Sequence, residues 1–125
     1  MTENELAREI VNAAYKIHTT LGPGLLESVY ETTLAHEMEK RGFKVCRQQA
    51  LPVIYETIRM EIGFRADLII EDKVIVEIKS IEALSPVHRK QLLTYLRLTG
   101  KRLGLLINFN VEVVKDGIVR VVNGL

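Results

Sequence analysis

Three charged residues interrupt an otherwise apolar stretch of this chain. From Gly63 to Ser80 the sequence reads GFRADLIIEDKVIVEIKS, and Asp67, Glu77 and Lys79 stand among valine, isoleucine and leucine. The pattern predicts a β-hairpin: a strand over 64–70, a turn at Glu71-Asp72-Lys73, and a strand over 74–79. Side chains two apart on a strand share a face, so Glu77 and Lys79 emerge together, while Val74, Val76 and Ile78 occupy the other face. A charge buried in such a sheet costs several kcal/mol unless it is paired or holds a cation. Two carboxylates and a lysine in that setting point to a metal-dependent hydrolytic site.

Hydrolysis of a phosphodiester needs a hard cation on oxygen ligands, an activated water, and cationic or hydrogen-bonding groups on the phosphate. Asp67 and Glu77 on adjacent strands can supply carboxylates, and the Ile78 carbonyl between Glu77 and Lys79 a third oxygen. Lys79 can position the attacking water or stabilise developing charge. Glu27, at a helix start, can complete the metal shell directly or through water. Gln91 and Tyr95, four apart on one helical face, can orient Lys79 or a phosphate. Each has a plain structural alternative. Asp67 can pair with Arg65, Glu77 and Lys79 can form a salt bridge on a solvated face, Glu27 suits the positive end of a helix dipole, and Gln91 and Tyr95 can be ordinary helix residues.

The elements that must position these residues are legible at coarse grain. Thr2-Glu3-Asn4-Glu5 fits a capping box, followed by Leu6, Ile10, Ala13, Ala14, Ile17 and Leu21 at helical spacing. His18 falls in the last turn, in a capping or core role. Gly22-Pro23-Gly24 breaks the helix. A second helix is expected over about 26–41, with Leu26, Val29, Tyr30, Leu34 and Met38 as its apolar stripe and Gly42 closing it. Residues 43–49 read as an edge-type strand. Pro52 then interrupts, so a bulge or a new strand begins there, and residues 53–55 and 58–62 read as a second hairpin ahead of the central one. Ser85-Pro86 starts a helix that runs to Thr99 before Gly100, with Leu92 and Leu96 on its packing face. Residues 102–109, nearly all apolar, predict a central strand covered on both sides. Lys115-Asp116-Gly117 is a turn before a last strand over 118–122. The expected architecture is α/β: a mixed β-sheet flanked by helices on both faces, with a parallel crossover from Val74 through Phe109.

The 125 residues, 47% hydrophobic and 26% charged, are expected to form one domain over 1–125. A net charge of +1 selects no partner. Arg89, Lys90, Arg97, Lys101 and Arg102 do form an acid-free basic segment between Ala83 and Val111, either a phosphate footprint or a solvated helix face. No apolar run approaches the ~20 residues of a membrane span. The acidic start Met-Thr-Glu-Asn-Glu is not a signal peptide. Cys46 is the sole cysteine; it excludes an internal disulfide or a cysteine cluster and fits a cytoplasmic setting.

Asp67, then Glu77-Ile78-Lys79, then Gln91-Leu-Leu-Thr-Tyr95 resemble the PD-(D/E)XK nuclease superfamily, in its RecB-like branch with a QxxxY element. Gly24-Leu-Leu-Glu27-Ser-Val-Tyr30 is similar to the GxxExxY signature of a family in that superfamily. Gly63-Phe-Arg-Ala-Asp67 and Gly104-Leu-Leu-Ile-Asn-Phe109 resemble it as well. The resemblance implies a restriction-endonuclease-like core. Residues matching Asp67 and Glu77 would ligate Mg2+ or Mn2+, the one matching Lys79 would be catalytic, and the one matching Glu27 would assist at the metal. Those matching Gln91 and Tyr95 would support the site or contact nucleic acid. Asp67 follows Ala66 where the superfamily pattern has proline.

The expected function is a metal-dependent nuclease that hydrolyses nucleic acid, DNA before RNA, by metal-activated water. The alternative is a binding module for nucleic acid or protein that keeps the fold without turnover. The composition permits a homodimer or an accessory protein that helps select the substrate.

Overall fold

A computed structural model describes residues 1–125. The first helix, α1 (Glu3–Leu21), begins at the expected capping box: the Thr2 hydroxyl accepts from Glu5 N–H, and the Glu5 carboxylate accepts from Thr2 N–H. Its buried face is Leu6, Ala7, Ile10, Ala13, Ala14 and Ile17. Gly22 ends it at φ 74°, a left-handed backbone that suits glycine. His18 Nε2 sits 2.8 Å from the Val111 carbonyl oxygen, tying the helix end to a loop ninety-three residues away.

Helix α2 (Glu27–Lys40) departs from the expected stripe. Leu26 and Val29 are exposed, and the buried face is Tyr30, Glu31, Leu34, Ala35, Glu37 and Met38. Two glutamates stand where apolar residues were anticipated, each held by a cation: Glu37 by Lys16 at 2.9 Å, and Glu31 by Arg47 at 3.1 Å. The N-cap is Leu26, without a side-chain cap, a poor helix start by local chemistry. Tyr30 secures it from within the fold. Its ring is fully buried and stacks on Phe109 at 4.4 Å. Its hydroxyl donates to Gly22 O at 2.6 Å and accepts from Leu25 N–H at 3.1 Å.

The sheet has five strands in the order β1 (Val45–Tyr55), β2 (Ile58–Ile70), β3 (Val74–Lys79), β4 (Leu103–Asn108) and β5 (Ile118–Val122). Only β3 and β4 are parallel, joined through helix α3 (Pro86–Thr99). The predicted mixed sheet and parallel crossover are therefore present. Of the two readings of Pro52, the bulge is present and the new strand is not: the edge strand over 43–49 and the hairpin over 53–62 belong to one long antiparallel pair. Pro52 lies in the edge strand β1, where its missing N–H removes nothing from the ladder that faces the sheet. The register shifts there, between Leu51 and Val53, without breaking either strand. Gly63 serves the same crossing: a Cβ on it would lie 2.1 Å from the Val53 side chain. The far end of this hairpin is a projecting arm with Ile54, Tyr55, Ile58 and Ile62 exposed.

Two layers close on the sheet. Helices α1 and α2 pack with Leu68, Ile70, Val74, Val76, Ile78, Leu103, Leu105 and Ile107. Helix α3 packs on the other face with Ile69, Ile75, Leu106 and Val121 through Leu92 and Leu96. Strand β4 is buried along its whole length, as its apolar run predicts for a strand covered on both faces. A short 3-10 turn, Val114–Gly117, leads into β5.

Tyr30→Phe should lower the unfolding free energy by about 1–2 kcal/mol, because two polar partners lose their bond to the hydroxyl while the ring stack persists. Urea denaturation checks this; a variant as stable as wild type contradicts the anchoring role.

Candidate active site

The β2–β3 ladder ends at Leu68 and Val76. Asp67 and Glu77 are the next residues opposite each other, yet β1–β2 pairing continues through Gln49 and Ala66, and β3–β4 pairing continues to Lys79 and Asn108. A gap therefore opens between β2 and β3, at a level where β1–β2 pairing also skips Gln48 and Asp67 before it resumes. The two carboxylates fill it. Asp67 Oδ2 accepts from Ile78 N–H at 2.8 Å, and Glu77 Oε2 accepts from Asp67 N–H at 2.8 Å. Each carboxylate replaces a lost ladder bond with a charge-assisted one.

A local twist directs Asp67 into this gap. Strict alternation would send Ala66 and Leu68 to one face, but Ala66 packs with the α3 layer and Leu68 with the α1–α2 layer. Opposite Asp67, Gln48 has φ 49°, so both strands deform at the same level.

Backbone groups alternate direction along a strand. Lys79 O is turned to β4, where it accepts from Phe109 N–H at 3.0 Å. Ile78 O is therefore turned toward β2, into the gap. Glu77 is 7% exposed. Burial, and then the neighbouring Asp67 charge, push its carboxyl up from 4.5 to about 8. Asp67 is raised too, mainly by burial and with a contribution from Glu31, against the lowering effect of the Ile78 N–H and the Gln48 amide.

Lys79 is half-buried and makes no hydrogen bond or ion pair inside the protein, so its ammonium is free on the Glu77 face. Neither the Asp67–Arg65 pair nor the Glu77–Lys79 salt bridge considered above forms. Glu27 is exposed, and its carboxylate accepts from Ser80 N–H at 3.3 Å, one residue beyond Lys79. Ser80 Oγ also donates to Leu25 O at 2.6 Å, so the start of α2 is fastened to the end of β3. Tyr95 stacks on Phe64 at 4.2 Å, and its phenol is raised by burial first and then by the charges of Glu77 and Asp67. Gln91 is exposed and bonds to nothing in the protein, so it does not orient Lys79.

Of the five basic residues, Arg89 and Lys90 lie in the first turns of α3. They line a cleft of about 640 Å³ together with Ser85, Asn108 and Asp116. Arg97 is exposed toward the other end of α3. Lys101 and Arg102 lie at the start of β4, at the opposite end of the sheet from Lys79. Lys101 pairs with Asp72 at 3.1 Å, and Arg102 donates to Gly124 O at 2.7 Å. The basic segment is thus divided between two ends of the molecule, because α3 and the following strand run in opposite directions.

Three contributors escaped the sequence reading. Glu31, 8% exposed, accepts from Arg47 and from the Gln48 amide, and that amide also donates to Asp67 Oδ1 at 3.1 Å. Buried Asn108 accepts from Ile81 N–H at 3.1 Å and donates to Ile81 O at 3.0 Å, clamping the loop after Lys79. Glu31 follows Glu27 by four residues, a visible sign that both share a helix face. Gln48 and Asn108 gave no such sign.

The donor set suits a hard divalent cation. No three Asp, Glu, His or Cys side chains converge as a ready cage. Mg2+-type ions, however, are commonly held by one or two carboxylates and keep several waters. Here the oxygens are those of Asp67 and Glu77 with Ile78 O, and Glu77 Oε1 has no partner within the protein.

A family model for the PD-(D/E)XK nuclease superfamily matches residues 4–121. Among solved structures, the crystal structure of SSO0001 is similar, with a TM-score of 0.54 and 21% identity. The match covers 97% of this chain but only 60% of that protein's length, and at this identity it speaks for the fold alone. No curated protein matches the chain.

The raised Glu77 carboxyl fixes a pH dependence. A folded pKa above the unfolded value gives stability that is full below about pH 4.5 and is lost as pH rises toward about 8. In the presence of a chelator the melting temperature should fall between pH 5 and 8.5, by the equivalent of a few kcal/mol. Glu77→Gln should flatten the profile. Melts that rise with pH in this window, or a Glu77→Gln profile as steep as wild type, contradict the assignment.

Proposed function

The chain belongs to the PD-(D/E)XK nuclease superfamily, and from that premise we propose that it is a metal-dependent nuclease whose site is Asp67, Glu77, Ile78 O and Lys79. The observation that carries this reading is the opened β2–β3 ladder: two carboxylates raised by burial, Glu77 also by the Asp67 charge, lie beside an unpaired ammonium. A buried pair of that kind is relieved by a cation.

Asp67, Glu77 and Ile78 O would hold Mg2+ or Mn2+. When bound, such an ion polarises phosphate oxygens and acidifies water. Lys79, with no competing anion bonded to it, is available to orient the attacking water and to meet charge developing on the phosphate. Glu27 holds Ser80 N–H and so fixes the chain just beyond Lys79, and it lies exposed where it can bond an outer water. Tyr95, braced by Phe64, borders the carboxylates. Gln91, exposed one helical turn earlier on α3, is free to contact substrate. Arg89 and Lys90 in their cleft would meet the nucleic-acid backbone.

We further assign the chain to the GxxExxY family and the RecB-like branch. Glu27 and Tyr30 at one helix start, and Gln91 and Tyr95 on one face of α3, support that assignment. The proposed substrate is DNA before RNA, on the superfamily likeness alone. The apolar arm supports a homodimer or an accessory protein.

Purified protein would be incubated with single- and double-stranded DNA and RNA, with Mg2+, Mn2+ or chelator. Cleavage should require the ion. Glu77→Ala and Lys79→Ala should each lose about a hundredfold or more in rate while keeping the fold. Binding by wild type without metal-dependent cleavage of any substrate favours the non-catalytic module instead. In the same binding assay, Arg89→Ala and Lys90→Ala should each flatten the salt dependence by about one ion. Lys101→Ala, at the far end, should not. An equal loss for Lys101→Ala would put the interface elsewhere.

A further inference from the structure

Behind Asp67 lies a third carboxylate, joined to it by one amide. Glu31 is fixed on both oxygens: Oε2 accepts from Arg47 Nη2 at 3.1 Å, and Oε1 accepts from Gln48 Nε2. Arg47 is itself held by Thr32 Oγ1 at 2.8 Å. The same Gln48 nitrogen donates to Asp67 Oδ1 at 3.1 Å. An amide NH2 has two hydrogens, so each carboxylate receives one. The amide lies between two anions that would otherwise repel, and it supplies the partial positive charge that a cation would supply there.

The backbone aims this contact. Gln48 adopts φ 49°, a left-handed conformation that costs a glutamine roughly 1 kcal/mol and survives only where other contacts over-determine it. It lies opposite Asp67, at the level where both strands twist. Asp67 Oδ2 accepts from Ile78 N–H, a donor fixed in the backbone, whereas the donor on Oδ1 is the movable Gln48 side chain, so Oδ1 is the oxygen that can be cleared for a cation.

We propose that Gln48 is a latch on the cation seat: its amide covers Asp67 Oδ1 until a divalent cation displaces it, and Glu31 behind it is a positioning residue whose charge raises the seat's affinity. The proposal rests on the nuclease reading of Asp67 and Glu77. It explains why no three acidic side chains converge although three are neighbours: the Gln48 amide spaces Glu31 from Asp67. Arg47 offsets Glu31 only in part, because its side chain is 43% exposed and its charge is screened by solvent.

The two residues then act in opposite directions. Removing the amide removes a competitor for Oδ1 and leaves two carboxylates without their shared donor, so cation binding tightens. Glu31→Gln keeps the size and one acceptor oxygen, sets an NH2 against either Arg47 or Gln48, and removes the charge, so cation binding weakens. A purely structural Glu31 would show this change in the melting temperature in chelator and not in the cation affinity.

Isothermal titration of Mg2+ and Mn2+ into the full chain, without nucleic acid, tests this, with thermal melts in chelator as the check on folding. Gln48→Gly suits the left-handed backbone; Gln48→Asn keeps an amide one methylene too short to span both carboxylates. Both should bind the ions several-fold more tightly than wild type. Glu31→Gln should bind about tenfold more weakly, the scale of outer-shell partners at metal sites, and Glu31→Asp should recover part of that loss. If wild type binds and Glu31→Gln stays within twofold of it, or neither Gln48 variant binds more tightly, the latch is overturned and the metal-site reading stands. If wild type binds neither ion, both fall together.

Discussion

One pair of missing ladder bonds shapes the active end of this molecule. Strands β2 and β3 pair from Ile70·Val74 to Leu68·Val76 and then part. The N–H groups of Asp67 and Ile78 would be orphaned there, and an unpaired buried amide costs about 1–3 kcal/mol. Carboxylates are the acceptors that resolve this, one from each strand reaching to the other. The backbone thus calls for side-chain acceptors at these two positions on structural grounds alone. The same geometry leaves Ile78 O turned into the gap. The atoms that meet this structural demand are the ones proposed to hold the cation.

The arrangement is stable in only one sense. Backbone N–H groups can hold two carboxylates in place, but they do not cancel two full charges in a site where Glu77 is almost wholly buried. The result is a carboxyl pushed to about 8. Lys79 does not relieve it by pairing. The surrounding sheet can bear the strain because fully buried Leu, Ile and Val side chains contribute roughly 1.5–3 kcal/mol each, and β3 and β4 lie between two apolar layers. The core supplies rigidity; near neutral pH a proton on Glu77 relieves the repulsion between the two carboxylates.

The sequence made the layers and the central hairpin legible because their signals are local. A capping box, a Gly-Pro-Gly break, a Ser-Pro start and an unbroken apolar run each act within a few residues. Asp67, Glu77 and Lys79 stood out for the same reason: charges in an apolar run are visible one at a time. The errors came where a partner overrides the local rule. Pro52 reads as a bulge or as the start of a new strand; on an edge strand its missing N–H is tolerated, and the chain passes through it with a register shift inside one strand. Val29 reads as part of the buried stripe of α2, while Glu31 and Glu37 take the inward places because Arg47, Gln48 and Lys16 are there to meet them. Gln48 had no readable role, since its bond to Asp67 depends on a left-handed backbone and a twist shared by two strands. Lys101 and Arg102 joined the basic segment in sequence and left it in space, where the chain turns back from α3 into β4.

Helix α2 shows how the two kinds of information combine. Its start is weak by every local measure, with a leucine N-cap and glycines and a proline just before it. Tyr30 compensates by anchoring the first turn to Gly22, Leu25 and the Phe109 ring. Phe109 follows β4, and its N–H bonds to Lys79 O, so the anchor is one bond from the strand that carries Glu77 and Lys79. A helix fixed at that point presents Glu27 to Ser80 N–H and, one turn later, Glu31 to Gln48. Tyrosine and glutamate three apart therefore do different work: the ring sets where the helix begins, and that origin decides which carboxylates meet Ser80 N–H and the Gln48 amide. A shift of one residue in the helix start would rotate both glutamates by about 100° and remove them from the site.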